Sequence, residues 1–203
     1  IRKDVNPPVL CGVPTGIKDL VATRLTRTAL GSRAFRYYVP LSDHKIVHRL
    51  RAGGLVSLGK LTTSELGVMP ITETDIHPPT RNPWNIEHSA GGSSGGSGSA
   101  VAAKLIPIAQ GSDGGGSIRI PASFCHLFGF KPSLDLLGNM HGKFNPFGMS
   151  VMGPLSTTVE DSATMMDIMM GHPTQEKRPC WDATRRPPQS MRIHMQLDSS
   201  VSS

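Results

Sequence analysis

At 203 residues the chain is long enough to bury a full hydrophobic core as one domain. Its formal net charge of +6 comes from 21 Lys and Arg spread without a run of five or six, and only 5% of residues are aromatic, which argues against a nucleic-acid footprint or a base-stacking surface. No apolar run reaches the length of a membrane span. Cys11, Cys125 and Cys180 lie far apart with no CxxC, as expected of reduced thiols in a cytoplasmic protein rather than a disulfide framework or a zinc site.

Residues 9–19, VLCGVPTGIKD, form a short apolar strand pattern broken by Gly12, Pro14 and Gly16. Lys18, between Ile17 and Leu20, is expected as a strand-end lysine that snorkels to solvent. The sharper alternative is a buried lysine with a pKa low enough to act as a base. Residues 44–52, HKIVHRLRA, place Ile46, Val47 and Leu50 at helical spacing with basic residues opposite, and Gly53-Gly54 closes that helix. A strand over 55–58 then runs into Gly59-Lys60. Gly54 to Lys60 has the spacing of a phosphate-binding P-loop, but Leu61 stands where that loop needs a hydroxyl for magnesium, so nucleotide binding is not expected. Residues 70–84 are polar and proline-rich and predict a loop, with Asn82-Pro83-Trp84 as its exit turn.

Residues 91–117, GGSSGGSGSAVAAKLIPIAQGSDGGGS, join two glycine/serine clusters through an apolar segment. By composition the first cluster is a flexible linker. Linkers are not interleaved with core, however, and here the Ala-rich start at 100 suits a helix while Leu105, Ile106, Ile108 and Ala109 suit a buried strand. Glycine packed against core implies conformations and close approaches that only glycine allows, and serines held by such backbone are candidates for chemistry. A long loop is expected after Ser133. Residues 157–170 predict a helix with Thr157 or Thr158 as N-cap, acidic Glu160 and Asp161 in the first turn, core methionines at 165, 166, 169 and 170, and Gly171 as terminator. Residues 175–190 are charged and proline-bearing, a surface segment, and 191–197 are strand-like. Strand and helix alternate, which predicts an α/β fold with at least some parallel strands. The eight histidines show no HxxxH or HExxH pair, so no metal site is expected.

GGSSGGS at 91–97, followed by GSDGGGSIRIPASFC at 111–125, resembles the amidase signature family of serine hydrolases. The resemblance extends, in order, to GVPTGIKDL at 12–20, LRAGGLVSLGKLTTSELG at 50–67, TRNPWN at 80–85, FGFKPS at 128–133 and GPLSTTVEDSATMMDIMMG at 153–171. It implies a mixed β-sheet core flanked by helices, with the signature core at 91–133. That fold normally continues beyond residue 203, so the chain is expected to be a single domain cut short at its C-terminus. The resemblance further implies hydrolysis of amide bonds through an acyl-enzyme on a Ser–cis-Ser–Lys triad, without a cofactor or metal. Carried over position by position, the triad is Lys18 as base, Ser93 as the cis serine and Ser117 as nucleophile. Gly114, Gly115, Gly116 and Ser117 would supply backbone N–H groups to an oxyanion hole. Ser94 would support the site by hydrogen bonding. Asp113 and Arg119 would brace the glycine turn, the alternative being a solvated surface pair of little energetic value. One departure stands out: His126 occupies a position where the family commonly has glycine.

The residue types suit that chemistry. A serine hydroxyl is a poor nucleophile until a base takes its proton, and neither glycine cluster contains a histidine. A lysine can serve only if neutral near pH 7, a displacement of about three pH units from roughly 10.4 that burial must supply. Ser93, between Lys18 and Ser117, would relay the proton, since one hydroxyl both donates and accepts. Cys125 is expected to be buried packing. The expected partner is a small-molecule amide, with no nucleic acid or membrane and with a homo-oligomer left open. The alternatives are a carbamate- or ester-cleaving relative, an inactive amidase-like binding partner, and one subunit of an amidotransferase.

Overall fold

A computed structural model describes residues 7–138 and 148–185. The strand expected at 191–197 and part of the loop after Ser133 lie outside those residues. Strand β1 (Pro14–Lys18) pairs in parallel with β2 (Val56–Leu61), the crossover between them carrying helix α1 (Lys45–Ala52). A hairpin of β3 (Arg81–Asn82) and β4 (Asn85–Ser89) leads to α2 (Gly95–Ala102). Then come β5 (Ile108–Asp113), α3 (Arg119–Phe124), β6 (Phe128–Gly129), β7 (Val151–Ser156), α4 (Val159–Met170) and α5 (Pro179–Arg185). Strands β5, β7 and β6 form an antiparallel sheet with β7 in the centre. Parallel and antiparallel pairs thus coexist. Side chains tie β1 to β5: Thr15 Oγ1 donates to the Ile108 carbonyl at 2.9 Å, and the Lys18 backbone N–H donates to Gln110 Oε1 at 3.0 Å.

The core explains why these segments fold as they do. Helix α1 turns Ile46, Val47 and Leu50 inward against Met165, Met166, Ile168 and Met169 of α4, in a cluster that also takes in Ile17, Ile108 and Met152. Methionine suits this role because its flexible thioether fills irregular gaps. Helix α4 begins at Thr158, whose Oγ1 accepts the Asp161 N–H at 3.1 Å, and ends at Gly171 with φ 104°. Among the described residues no helix is long and apolar enough to cross a membrane.

Three expectations change. Leu105 is not part of the buried strand: it lies 73% exposed in the turn before β5, which starts at Ile108. The 70–84 loop ends in ordered strand, because Asn82 Oδ1 accepts the Trp84 N–H and Asn82 Nδ2 donates to the Phe124 carbonyl. The surface segment after 175 contains α5, which starts on Pro179, a residue suited to the first helical position. Buried Asp167 of α4 caps that helix by accepting the N–H groups of Cys180 (2.7 Å) and Trp181 (3.0 Å).

Candidate functional site

The pairing of β1 with β2 is irregular: Thr15 faces Ser57 but Ile17 faces Lys60, so β2 carries one extra residue opposite Gly16. Bulges of this kind re-aim side chains and recur beside functional sites. Beyond it, both Ile17 and Lys18 are buried, Ile17 in the main core and Lys18 toward β5 and the glycine-rich entry to α2. The expected solvent-directed lysine is therefore replaced by the buried one. Lys18 has no exposed surface; its Nζ lies 2.7 Å from Ser93 Oγ, 3.1 Å from Ser112 Oγ and 3.4 Å from the Ser112 carbonyl. Burial disfavours the ammonium and lowers the Lys18 pKa from 10.5 to about 7, with the charge of Asp113 working in the opposite direction.

Ser93 follows a cis peptide bond from Gly92 and is 1% exposed. Of the glycines around it only Gly91 takes positive φ, at 77°. Gly96 is needed for close approach instead, since a Cβ there would fall 2.4 Å from the Thr62 backbone nitrogen. Ser94 is buried and joins the two glycine clusters. Its N–H donates to the Ser117 carbonyl at 3.2 Å, while its Oγ donates to the Ser112 carbonyl at 3.2 Å and accepts the Ser112 N–H at 3.3 Å. Ser117 stands half-buried before α3, and its hydroxyl makes no hydrogen bond among the described residues. The structure thus brings Lys18 to Ser93, while Ser117 is tied to the cluster by its backbone carbonyl through the Ser94 N–H, with no hydrogen bond between the Ser117 and Ser93 hydroxyls among the described residues.

Asp113 and Arg119 form a two-pronged ion pair, with Nε at 2.9 Å from Oδ2 and NH2 at 3.0 Å from Oδ1. The Asp113 side chain is fully buried although Arg119 is half exposed, so this is not a solvated surface pair. Burial pushes the carboxyl up, but the bonds from Arg119 and from the N–H groups of Gly116, Ile118 and Arg119 outweigh it and hold the pKa at about 2. One of those bonds narrows the expected oxyanion donors. The Gly116 N–H, on a residue with φ 118°, is already given to Asp113 at 2.7 Å. Gly114 and Gly115 are exposed, and the N–H groups of Gly115 and Ser117 have no acceptor among the described residues.

His126 takes φ 56°, in the left-handed region that favours glycine, which gives a physical reason for glycine at this place. Its ring meets Trp84 edge to face at 6.1 Å, and Trp84 Nε1 donates to the Cys125 carbonyl at 2.8 Å. Burial pushes the Cys125 thiol up to about 11, which leaves it protonated packing. Lys60 of the P-loop near-match points elsewhere: its Nζ bonds Thr28 Oγ1 at 2.9 Å and lies 3.5 Å from Asp19 Oδ1. Sequence reasoning missed Gln110 and Ser112. Gln110 is fully buried, and its side chain spans the Lys18 N–H and the Gly111 carbonyl. The only signal for Ser112 was its place inside the second glycine cluster.

The sequence profile of the family described as Amidase matches residues 2–194. A putative amidase of Synechocystis sp. is 43% identical over 174 residues, covering 86% of this chain and 34% of that protein. One subunit of the glutamyl-tRNA(Gln) amidotransferase of Exiguobacterium sibiricum is 39% identical over 171 residues, covering 84% and 35%. Among solved structures, a 6-aminohexanoate cyclic dimer hydrolase superposes with a TM-score of 0.78 at 36% identity, covering 87% of this chain and 40% of that one. The chain therefore spans about a third of the length of the curated relatives it matches. A profile match over nearly the whole chain, joined to this fold, places the chain in the amidase signature family.

Proposed function

We propose that this chain carries the reacting groups of an amide hydrolase, with Ser117 as nucleophile, Ser93 as relay and Lys18 as base. The observation that carries the reading is Lys18: a fully buried amine, with a pKa lowered to about 7, 2.7 Å from a buried serine hydroxyl. Near pH 7 a large share of that amine is neutral and able to accept a proton. As Ser117 Oγ bonds to the carbonyl carbon, its proton passes to Ser93 Oγ while the Ser93 proton passes to Lys18 Nζ. The carbonyl oxygen becomes an oxyanion facing the N–H groups of Gly115 and Ser117, and removing one such donor typically costs about 3–4 kcal/mol. Collapse breaks the C–N bond, the relay returns the proton to the departing amine, and water then cleaves the ester on Ser117 by the same route. Asp113 and Arg119 hold the turn that carries both donors. Ester and carbamate bonds suit the same groups. Three unpaired thiols support a cytoplasmic setting for the reaction.

A second reading keeps the chemistry and changes the setting. The 39% identity to an amidotransferase subunit favours a role within a larger assembly, with amide cleavage feeding a partner. One experiment tests the core of both. A fluorophosphonate probe should label wild-type protein and not Ser117→Ala; amide, ester, carbamate and glutamine substrates then sort the readings. Labelling that persists on Ser93 or Ser94 in Ser117→Ala would overturn the assignment.

A further inference from the structure

A neutral amine has one lone pair and two N–H bonds, and only the lone pair can take a proton. A basic lysine therefore has to be aimed as well as deprotonated. Among the described residues, three acceptors surround Lys18 Nζ: Ser93 Oγ at 2.7 Å, Ser112 Oγ at 3.1 Å and the Ser112 carbonyl at 3.4 Å. Two of the three belong to one residue. We propose that Ser112 is a positioning residue that takes the two amine N–H bonds, one on its hydroxyl and one on its carbonyl, and so turns the Lys18 lone pair onto Ser93. This inference rests on the reading of Lys18 as base.

Ser112 is itself fixed. It sits in β5 opposite Met152 of β7, and Ser94 Oγ clamps both its N–H (3.3 Å) and its carbonyl (3.2 Å). Without the Ser112 hydroxyl, one amine hydrogen would have Ser93 Oγ as its best remaining acceptor, and the amine would donate to the group it must deprotonate. After transfer of the Ser93 proton to Nζ, the ammonium has three N–H bonds and the same three acceptors. Both protonation states are thus satisfied without movement, which is what a preorganised base requires. Among the described groups, the charge acting on Lys18 is that of Asp113, whose own partner is Arg119.

The test compares Ser112→Thr with Ser112→Val in the full-length protein. The two side chains have nearly one shape and differ by the hydroxyl, so a folding defect common to both cancels. Ser112→Thr should keep kcat/KM within about threefold of wild type, and Ser112→Val should lose about tenfold or more, the scale of one hydrogen bond to a group that becomes charged. The acid limb of the pH–rate profile reports the sign. An acceptor is worth more to the ammonium than to the neutral amine, so its loss should move the limb to lower pH by about one unit. A merely structural role would lower the rate and leave the limb in place. Equal rates and equal limbs in Thr and Val variants would overturn the positioning role alone. Full activity in Lys18→Ala would overturn it together with the proposed mechanism, so the two failures are distinguishable.

Discussion

Burying an amine leaves a thermodynamic trace that can be read without any substrate. Lys18 has no exposed surface, and its pKa falls from 10.5 to about 7. Each pH unit between those values is worth about 1.4 kcal/mol, so the cost of burying the charged form is about 5 kcal/mol. The sign follows from proton counting. Between pH 7 and 10.5 the unfolded chain holds a proton on this lysine that the folded chain lacks, so stability rises with pH across that window. Below pH 7 both states are protonated and the full cost remains. Lys18→Met removes the ionisation, leaving Ser93 and Ser112 with lost partners at about 1 kcal/mol each. Other groups titrate nearby: Lys60 is lowered to about 8, again chiefly by burial, and adds slope of the same sign, while the thiols of buried Cys125 and half-buried Cys180 are pushed up to about 11. The difference between wild type and variant cancels them. Urea unfolding at intervals from pH 7 to 9 should show wild type gaining about 2 kcal/mol relative to Lys18→Met. A difference that stays flat within about 0.5 kcal/mol over that range, the usual error of such comparisons, would refute the buried neutral amine and with it the proposed base.

Three further outcomes follow from other parts of the site. Arg119→Met should release Asp113 upward from about 2, so that acid unfolding begins at higher pH: the stability held by this depressed carboxylate is present above its ordinary 3.8 and is lost as pH falls toward 2. Equilibrium unfolding between pH 2 and 6 checks this. His126→Gly relieves φ 56° but gives up the Trp84 contact and adds freedom to the unfolded chain, so thermal unfolding should place it within about 1 kcal/mol of wild type, whereas β-branched His126→Val should lose more than about 1 kcal/mol. Asp167→Ala strips α5 of both its cap bonds and should cost about 2 kcal/mol, with faster amide exchange at Cys180 and Trp181 as the local readout.

What the sequence made legible was whatever local chemistry dictates. Helices α1 and α4 were readable because period, cap and terminator agree within one segment: Ile46, Val47 and Leu50 inward on α1, Thr158 and Gly171 at the ends of α4. Lys18 was not readable from its own neighbours. Ile17 and Leu20 announce only a strand, and the burial comes from β5 and from Ser93, far along the chain. Gln110 and Ser112 escaped for the same reason, since their roles depend on a strand that is not adjacent in sequence. The short α5 was hidden by the prolines and charges of its segment, and its cap, Asp167, lies on another helix. The resemblance to a known family supplied the long-range pairing of Lys18 with Ser93 that periodicity cannot supply.

How much of the relatives' length the base needs is open to a direct test. The resemblance leaves room for the burial of Lys18 to depend on the whole core of the family's fold. The described contacts give a narrower requirement: the groups bonded to its Nζ and backbone N–H are Ser93, Ser112 and Gln110, all within this chain. Substrate contacts are a different matter, because Ser117 stands half-buried and Gly114 and Gly115 are exposed. Strand β2, which pairs only with β1 among the described residues, also leaves Val56 half exposed and Leu58 67% exposed on the same face, an apolar strip at a sheet edge. A polypeptide of residues 1–203 should therefore self-associate at micromolar concentration and turn over amides far more slowly than a form with the relatives' full length. It should nevertheless keep slow fluorophosphonate labelling at Ser117 that rises through pH 7 and disappears in Lys18→Ala. Size-exclusion chromatography reads the first half, and labelling rates against pH read the second. A monomeric 1–203 chain with full amidase turnover would show that the remaining length is dispensable; a soluble, folded chain with no Lys18-dependent labelling would show that the burial of Lys18 requires it.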